Sequence, residues 1–149
     1  VEDGSSILRH WSKNKQIYYE SKSELYAVDT DSGESKKITD FAAKSITAQS
    51  ISISPDEQNL AFTTIDGNQY NLWTMKTGEQ TTKKLFTAES EIRNTVWHPD
   101  NRRIFFNQAV DGIFQIFVTD AAAPPRQIST AERDVFVLNV SSDGTKVLS

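Results

Sequence analysis

The chain has 149 residues, 16 basic and 20 acidic side chains, a formal net charge of −4, and no cysteine. That length suits a single domain with a real core, and Leu, Ile, Val and Phe supply 36 residues, about a quarter of the chain and above the roughly 20% at which disorder sets in. The absence of cysteine excludes disulfide scaffolds, thiolate catalysis and cysteine-bearing zinc sites, and the mild acidity offers no electrostatic reason to bind nucleic acid or an anionic membrane.

Taken in chain order, short alternating runs predict strands at 7–11, 16–20, 24–29 and 35–38, then at 48–53, 59–64, 69–75 and 82–86. A third group falls at 92–97, 103–108, 114–119 and 126–128, and a fourth is represented only by 134–140 and 146–148. No segment sustains a period of 3.6 residues over ten or more positions, so no long helix is expected. The apolar run Val135-Phe136-Val137-Leu138 is among the longest, far short of the about 18 residues of a membrane helix. The chain starts at Val1 without a signal-like stretch and ends inside a strand pattern, as expected of a segment of something longer.

The groups repeat. Ile53-Ser54-Pro55-Asp56, Trp97-His98-Pro99-Asp100 and Val140-Ser141-Ser142-Asp143-Gly144 each lead into a short apolar strand, at steps of 44 and 43 residues. A degenerate copy begins at Trp11, 42 residues before Ile53, and runs through Lys13-Asn14 without the Pro-Asp pair. The later strands repeat as Leu25-Tyr26-Ala27-Val28, Leu72-Trp73-Thr74-Met75 and Ile116-Phe117-Val118-Thr119. Each is followed by a closing pair, read as Ile38-Thr39, Leu85-Phe86 and Ile128-Ser129.

The turns identify the unit. Asp66-Gly67-Asn68 and Asp111-Gly112 lie between alternating runs, where positive φ selects such pairs for tight hairpins. Proline presets φ in Pro55-Asp56 and Pro99-Asp100, and the aspartate side chain bonds nearby amides. A unit of about 43 residues with two apolar sheet faces cannot bury them alone and must stack on its neighbours, as a propeller blade does. The expected fold is all-β: a partial β-propeller of about three four-stranded antiparallel blades plus the start of a fourth. The whole of 1–149 forms one propeller region, with units at about 1–40, 41–89, 90–131 and 132–149. Closed propellers usually have 4–8 blades, so pairing with another copy or with further blades is expected to cover the end faces.

The strand ending in Trp, the Ser-Pro-Asp turn, the glycine hairpin and the closing apolar–hydroxyl pair together resemble the TolB-type β-propeller repeat. No copy carries a complete Ser-Pro-Asp-Gly, and the first has lost Pro and Asp. The resemblance implies a non-enzymatic protein–protein interaction or extracytoplasmic sensory module of a larger bacterial protein, for instance a membrane-anchored winged-helix transcriptional regulator. The alternative it implies is the substrate-gating propeller of a prolyl oligopeptidase-like serine peptidase. Location would be periplasmic or otherwise extracytoplasmic.

The residues themselves suggest no catalytic centre, metal site or cofactor. His98 stands where the other copies have Ser54 and Ser141 and reads as a turn residue, and His10 has no partner motif. There is no His-Glu-x-x-His and no Gly-x-Ser-x-Gly. Asp29-Thr30-Asp31-Ser32-Gly33-Glu34 lacks the spacing of an EF-hand and reads as a hairpin. Trp11, Trp73 and Trp97 read as packing residues, and Asn139-Val140-Ser141 as an accidental glycosylation sequon. Lys36-Lys37, Lys83-Lys84 and Arg102-Arg103 are too few for a nucleic-acid stripe. Loops joining second to third strands share one rim with the blade-to-blade linkers. That rim is the expected partner surface, through Asp40, Asp66, Asn68, Glu89, Asp111 and Glu132. The partner would be a protein or another copy of the chain, with no nucleic-acid contact and no membrane insertion by this segment.

Overall fold

In a computed structural model, which describes residues 7–12, 14–79 and 81–149, the alternating segments form antiparallel sheets that follow the repeat. The first blade contains β1 (Ile7–Trp11), β2 (Gln16–Ser21), β3 (Glu24–Asp29) and β4 (Ser35–Lys37), hydrogen-bonded in chain order. The second contains β5 (Ala48–Ile53), β6 (Asn59–Asp66), β7 (Gln69–Lys76) and β8 (Thr82–Ala88). The third contains β9 (Ile92–Trp97), β10 (Ile104–Val110), β11 (Ile113–Thr119) and β12 (Arg126–Gln127). The pair β13 (Asn139–Val140) and β14 (Val147–Leu148) begins a fourth. The chain is thus a partial propeller. A single 3-10 turn at Ala42–Lys44 interrupts the strands among the described residues. Trp11 keeps its strand position, but its side chain and all of Lys13 lie outside the described residues.

The period-2 alternation of each strand sends successive side chains to opposite neighbours. On β6 and β7, Leu60 faces Met75 and Phe62 faces Trp73 across the ladder. These four join Tyr18, Leu25, Ala27 and Phe41 in one core between the first two blades. Leu72, on the opposite face, packs with Ile92, Phe86 and Phe106 between the second and third blades. Phe105 and Ile116 then meet Val137 and Val140 between the third and fourth. Phe62 and Phe106 are fully buried, and tilted ring pairs pack at the first two interfaces, Phe41 against Phe62 at 4.7 Å and Phe86 against Phe106 at 6.1 Å. The first strands β1, β5, β9 and β13 approach one another without ladder pairing, forming the inner edge of the fan. Ser50 and Ser52 of β5 bond Thr95 of β9 there, at 3.3 and 2.9 Å.

The outer edges carry the paired lysines. Lys36-Lys37 lie on β4 and Lys83-Lys84 on β8, and lysines on an edge strand discourage further pairing.

Two expectations change. The predicted strand at 134–140 shrinks to Asn139–Val140. Its first half runs instead as a strap held by side chains: Asn107 donates to the Val135 carbonyl at 2.7 Å and accepts from the Val137 amide at 3.0 Å. The closing pair of the second blade is Phe86-Thr87, not Leu85-Phe86. A register shift between Leu72 and Trp73 puts Leu72 opposite Phe86, and one extra residue in β8 displaces the pair.

The inter-blade cores carry the stability. Phe62→Ala and Phe106→Ala should each cost about 3–5 kcal/mol in denaturant titrations, whereas Ile65→Ala, at a side chain 46% exposed, should stay within about 0.5 kcal/mol.

Candidate functional site

Antiparallel order divides the turns between two rims. The linker rim carries the blade-to-blade connections and the loops joining second to third strands. The opposite rim, here the turn rim, carries the Ser-Pro-Asp turns.

All three second-to-third hairpins on the linker rim have two-residue loops: Lys22-Ser23, Gly67-Asn68 and Asp111-Gly112. Lys22 and Ser23 have φ of 51° and 59°, and Asp111 and Gly112 have 51° and 80°, which matches the twist of the flanking strands. The topology therefore brings Asp66, Asn68 and Asp111 to the rim that also holds Asp40, Glu89 and Glu132 in the linkers. All six are exposed. Asp40 accepts an ion pair from Lys37 at 3.0 Å. Lys22, Lys44 and Arg133 share this rim, so acidity is densest over the second and third blades, at Asp66, Glu89 and Asp111.

Beneath this rim sits a set of polar residues that the sequence reading missed. Glu24, Asn71 and Gln115 occupy matching places near the start of each third strand and are all buried. Glu24 accepts the Thr39 hydroxyl, the Phe41 amide at 3.0 Å and the Ala42 amide at 2.9 Å. Asn71 accepts the Thr87 hydroxyl at 2.7 Å. Gln115 accepts the Ser129 hydroxyl at 2.8 Å and the Ala131 amide at 3.0 Å. Each residue thus pins the chain where it leaves one blade for the next. The signal was present in the hydroxyl that closes each unit, at Thr39, Thr87 and Ser129. Burial pushes the Glu24 carboxyl up, but the Ala42 amide, the Thr39 hydroxyl, the Phe41 amide and Lys37 outweigh it and hold it below its ordinary 4.5.

On the turn rim, each first turn reaches into the next blade. The Ser12 and Tyr18 hydroxyls donate to the Glu57 carboxylate, the latter at 3.0 Å. The Asp56 amide donates to Asn101 at 2.9 Å, and His98 Nε2 lies 3.1 Å from the Gly144 carbonyl. Glu57, Asn101 and Gly144 stand at the glycine position of the repeat, with φ of 61°, 59° and 72°. Left-handed backbone costs a non-glycine residue about 1–2 kcal/mol, offset here by bonds only a side chain can make. Burial, reinforced by the bond to Glu57, pushes the Tyr18 phenol up to about 12.

The aspartates of these turns act within them. Asp100 accepts the Arg102 and Arg103 amides at 2.9 and 3.0 Å. Asp143 accepts the Ser141 hydroxyl at 2.6 Å and the Thr145 amide and hydroxyl, which hold it at about 2. The Asp100 amide lies 3.1 Å from His98 Nδ1, and Nε2 sits between the Gly144 carbonyl at 3.1 Å and an Arg103 guanidinium nitrogen at 2.9 Å. His98 therefore takes the place of Ser54 and Ser141 and adds a link they lack. His10 packs at 6.1 Å from the Tyr18 ring. The loop from Asp29 to Glu34 is a hairpin closed by the Asp31 and Ser32 amides on Asp29 Oδ1 at 3.0 and 2.8 Å. Among the described residues no group of three or more His, Asp or Glu is placed to hold a metal.

A family model described as the lipoprotein LpqB beta-propeller domain matches residues 24–148. A putative TolB from Agrobacterium tumefaciens has a similar structure, with a TM-score of 0.78 and 18% identity over 97% of this chain and 53% of that one. TolB from Acinetobacter baumannii matches with a TM-score of 0.77 and 21% identity, over 97% of this chain and 37% of that one. A propeller in a nidogen/laminin complex matches with a TM-score of 0.66 and 12% identity, over 89% of this chain and 50% of that one. The chain thus spans about half the length of these structures or less. No curated protein matches.

Two predictions test the rims. Glu24 is held below its unfolded value, so its contribution is in place above about pH 4.5 and is lost as pH falls through the folded value. Glu24→Gln should be less stable than wild type at pH 7, and the gap should narrow at pH 3 in urea titrations at both pH values. At Gly144 a Cβ would collide with the His98 ring, so Gly144→Ala should cost about 1–3 kcal/mol. The cost should fall in the His98→Ser background, read by a double-mutant cycle.

Proposed function

The chain belongs to the lipoprotein LpqB β-propeller domain family, and from that membership we propose that it is a non-enzymatic protein–protein interaction module. The observation that carries this reading is the division of labour between surfaces. Blade faces are consumed in stacking and one rim is committed to turn-to-turn bonding, while the linker rim displays Asp40, Asp66, Asn68, Glu89, Asp111 and Glu132 exposed on short, rigid hairpins and linkers. Rigid loops on a stacked scaffold suit recognition because little conformational freedom is lost on binding.

The partner is a protein with a basic or hydrogen-bond-donating surface, since carboxylates dominate the rim over the second and third blades; a second copy of the chain is the other candidate. The module works outside the cytoplasm, as part of a larger bacterial protein with a sensory or regulatory role. The word lipoprotein in the family description supports that location. A propeller solved within the nidogen/laminin complex supports the general use of this architecture for binding proteins.

Rim charges act chiefly on association and salt dependence. Immobilised wild type and an Asp66→Lys/Asp111→Lys variant, matched in thermal unfolding, can be exposed to periplasmic extract and the captured proteins quantified. A specific captured set should fall several-fold with the variant and with added salt. Capture indifferent to both changes would refute the rim assignment.

A further inference from the structure

The outer edges of the blades differ in length. The fourth strand of the second blade, β8, runs for seven residues, whereas β4 has three and β12 two. β8 pairs with β7 on one side and lies at the margin of its sheet. The amides and carbonyls that point away from β7 have no backbone partner among the described residues, and a row of such groups is a template for one more strand. The edge is held firmly: Leu85 and Phe86 pack into the core between the second and third blades, and the Thr87 hydroxyl donates to Asn71 at 2.7 Å. Two exposed lysines occupy its middle, and the strand carries no acid. Lys83 stands opposite Thr74 and Lys84 opposite Trp73, so the two side chains leave the strand on opposite faces. Unlike Lys37 of β4 and Lys76 of β7, neither has a carboxylate partner among the described residues. The Lys84 ammonium rests instead 4.8 Å over the Trp73 ring. Beside it, on the face toward the first blade, a cavity of about 380 Å³ is walled by Ile46, Thr64, Trp73 and Thr82.

We propose that β8 takes up an extended acidic segment of a partner protein as a fifth, antiparallel strand. In such an addition main-chain bonds supply affinity and side-chain seats supply specificity. Carboxylates on two successive residues of the segment meet Lys83 and Lys84, one on each face. A residue two places along shares the face of Lys84, and an apolar side chain there reaches the cavity beside Trp73 and Ile46. The lysines that keep like edges apart thus select an unlike one, since a second copy of β8 would set ammonium against ammonium. The inference does not rest on the acidic linker rim, which calls for a basic partner. Asp66 of that rim also lines the cavity, so Asp111, which does not, separates the two surfaces.

The test screens the labelled full chain on an array of end-capped octapeptides, each with a central Glu-Glu pair flanked by every combination of Val, Thr and Phe. The strongest binder is then titrated by amide NMR with hydrogen exchange. At least one peptide should bind with a Kd below about 100 μM and slow the outward amides between Thr82 and Ala88 at least tenfold. Lys83→Glu/Lys84→Glu should weaken that peptide at least tenfold and bind its Lys-Lys counterpart instead. N-methylation of alternate peptide residues on the pairing edge should abolish binding, and N-methylation on the other edge should leave it. Asp111→Lys should bind the peptide as wild type does. Silence across the whole array would overturn the proposal, as would binding that leaves the β8 amides exchanging at their original rates. Equal affinity in the charge-reversed variant would do the same. So would protection of those amides by rising protein concentration without peptide, which would make a second copy the occupant.

Discussion

A four-stranded sheet of about 43 residues has too little material to cover either of its own faces, and the rest of this structure follows from that shortage. Phe62 and Phe106 are fully buried although each lies on the second strand of a small sheet, because the neighbouring blade supplies the other half of the core. Burial of such side chains is the dominant stabilising term. Here it is available only through contacts more than one strand away in sequence. The same constraint fixes the register: a one-residue slip would turn Leu60 and Phe62 toward the third blade and put Ala61 and Thr63 in the first core.

Apolar stacking is poorly directional, and the two rims supply the direction. Beneath the linker rim, Glu24, Asn71 and Gln115 fasten each exit from a blade with bonds to a hydroxyl and, in two cases, to backbone amides. On the turn rim, Glu57, Asn101 and Gly144 tie each first turn to the preceding blade by three different chemistries. These positions explain why the repeat tolerates degeneration. The copy that has lost Pro and Asp keeps Ser12, and Ser12 reaches the next blade through Glu57. An acidic residue in left-handed backbone, a poor choice in isolation, becomes a good one once two hydroxyls converge on it.

The division also leaves the exposed side chains of the linker rim outside the turn-to-turn bonding. Short hairpins and linkers on the linker rim hold exposed carboxylates. That placement comes from strand order alone: second-to-third loops and blade linkers must fall on the same side of an up-and-down blade, whatever their residues.

Reading the chain alone was enough to establish the repeat, the all-β class, most strand boundaries and the packing role of the alternating residues. Period-2 alternation and turn residues are local, and they recur every 42–44 residues. It also placed Asp66 and Asp111 on one rim, since rim assignment needs only connectivity. It misplaced the closing pair at Leu85-Phe86 because a bulge adds a residue without changing the alternation on either side. It overextended the strand before Val140 because Val135 and Val137 are apolar for packing, while their backbone bonds go to Phe114 and the side chain of Asn107 rather than to a ladder. The roles of Glu24, Asn71 and Gln115 and the links from Ser12 and Tyr18 to Glu57 and from His98 to Gly144 were decided only by the tertiary structure. Each depends on groups 14 to 46 residues apart, and nothing in a local pattern states which polar side chain will be buried beside which neighbour.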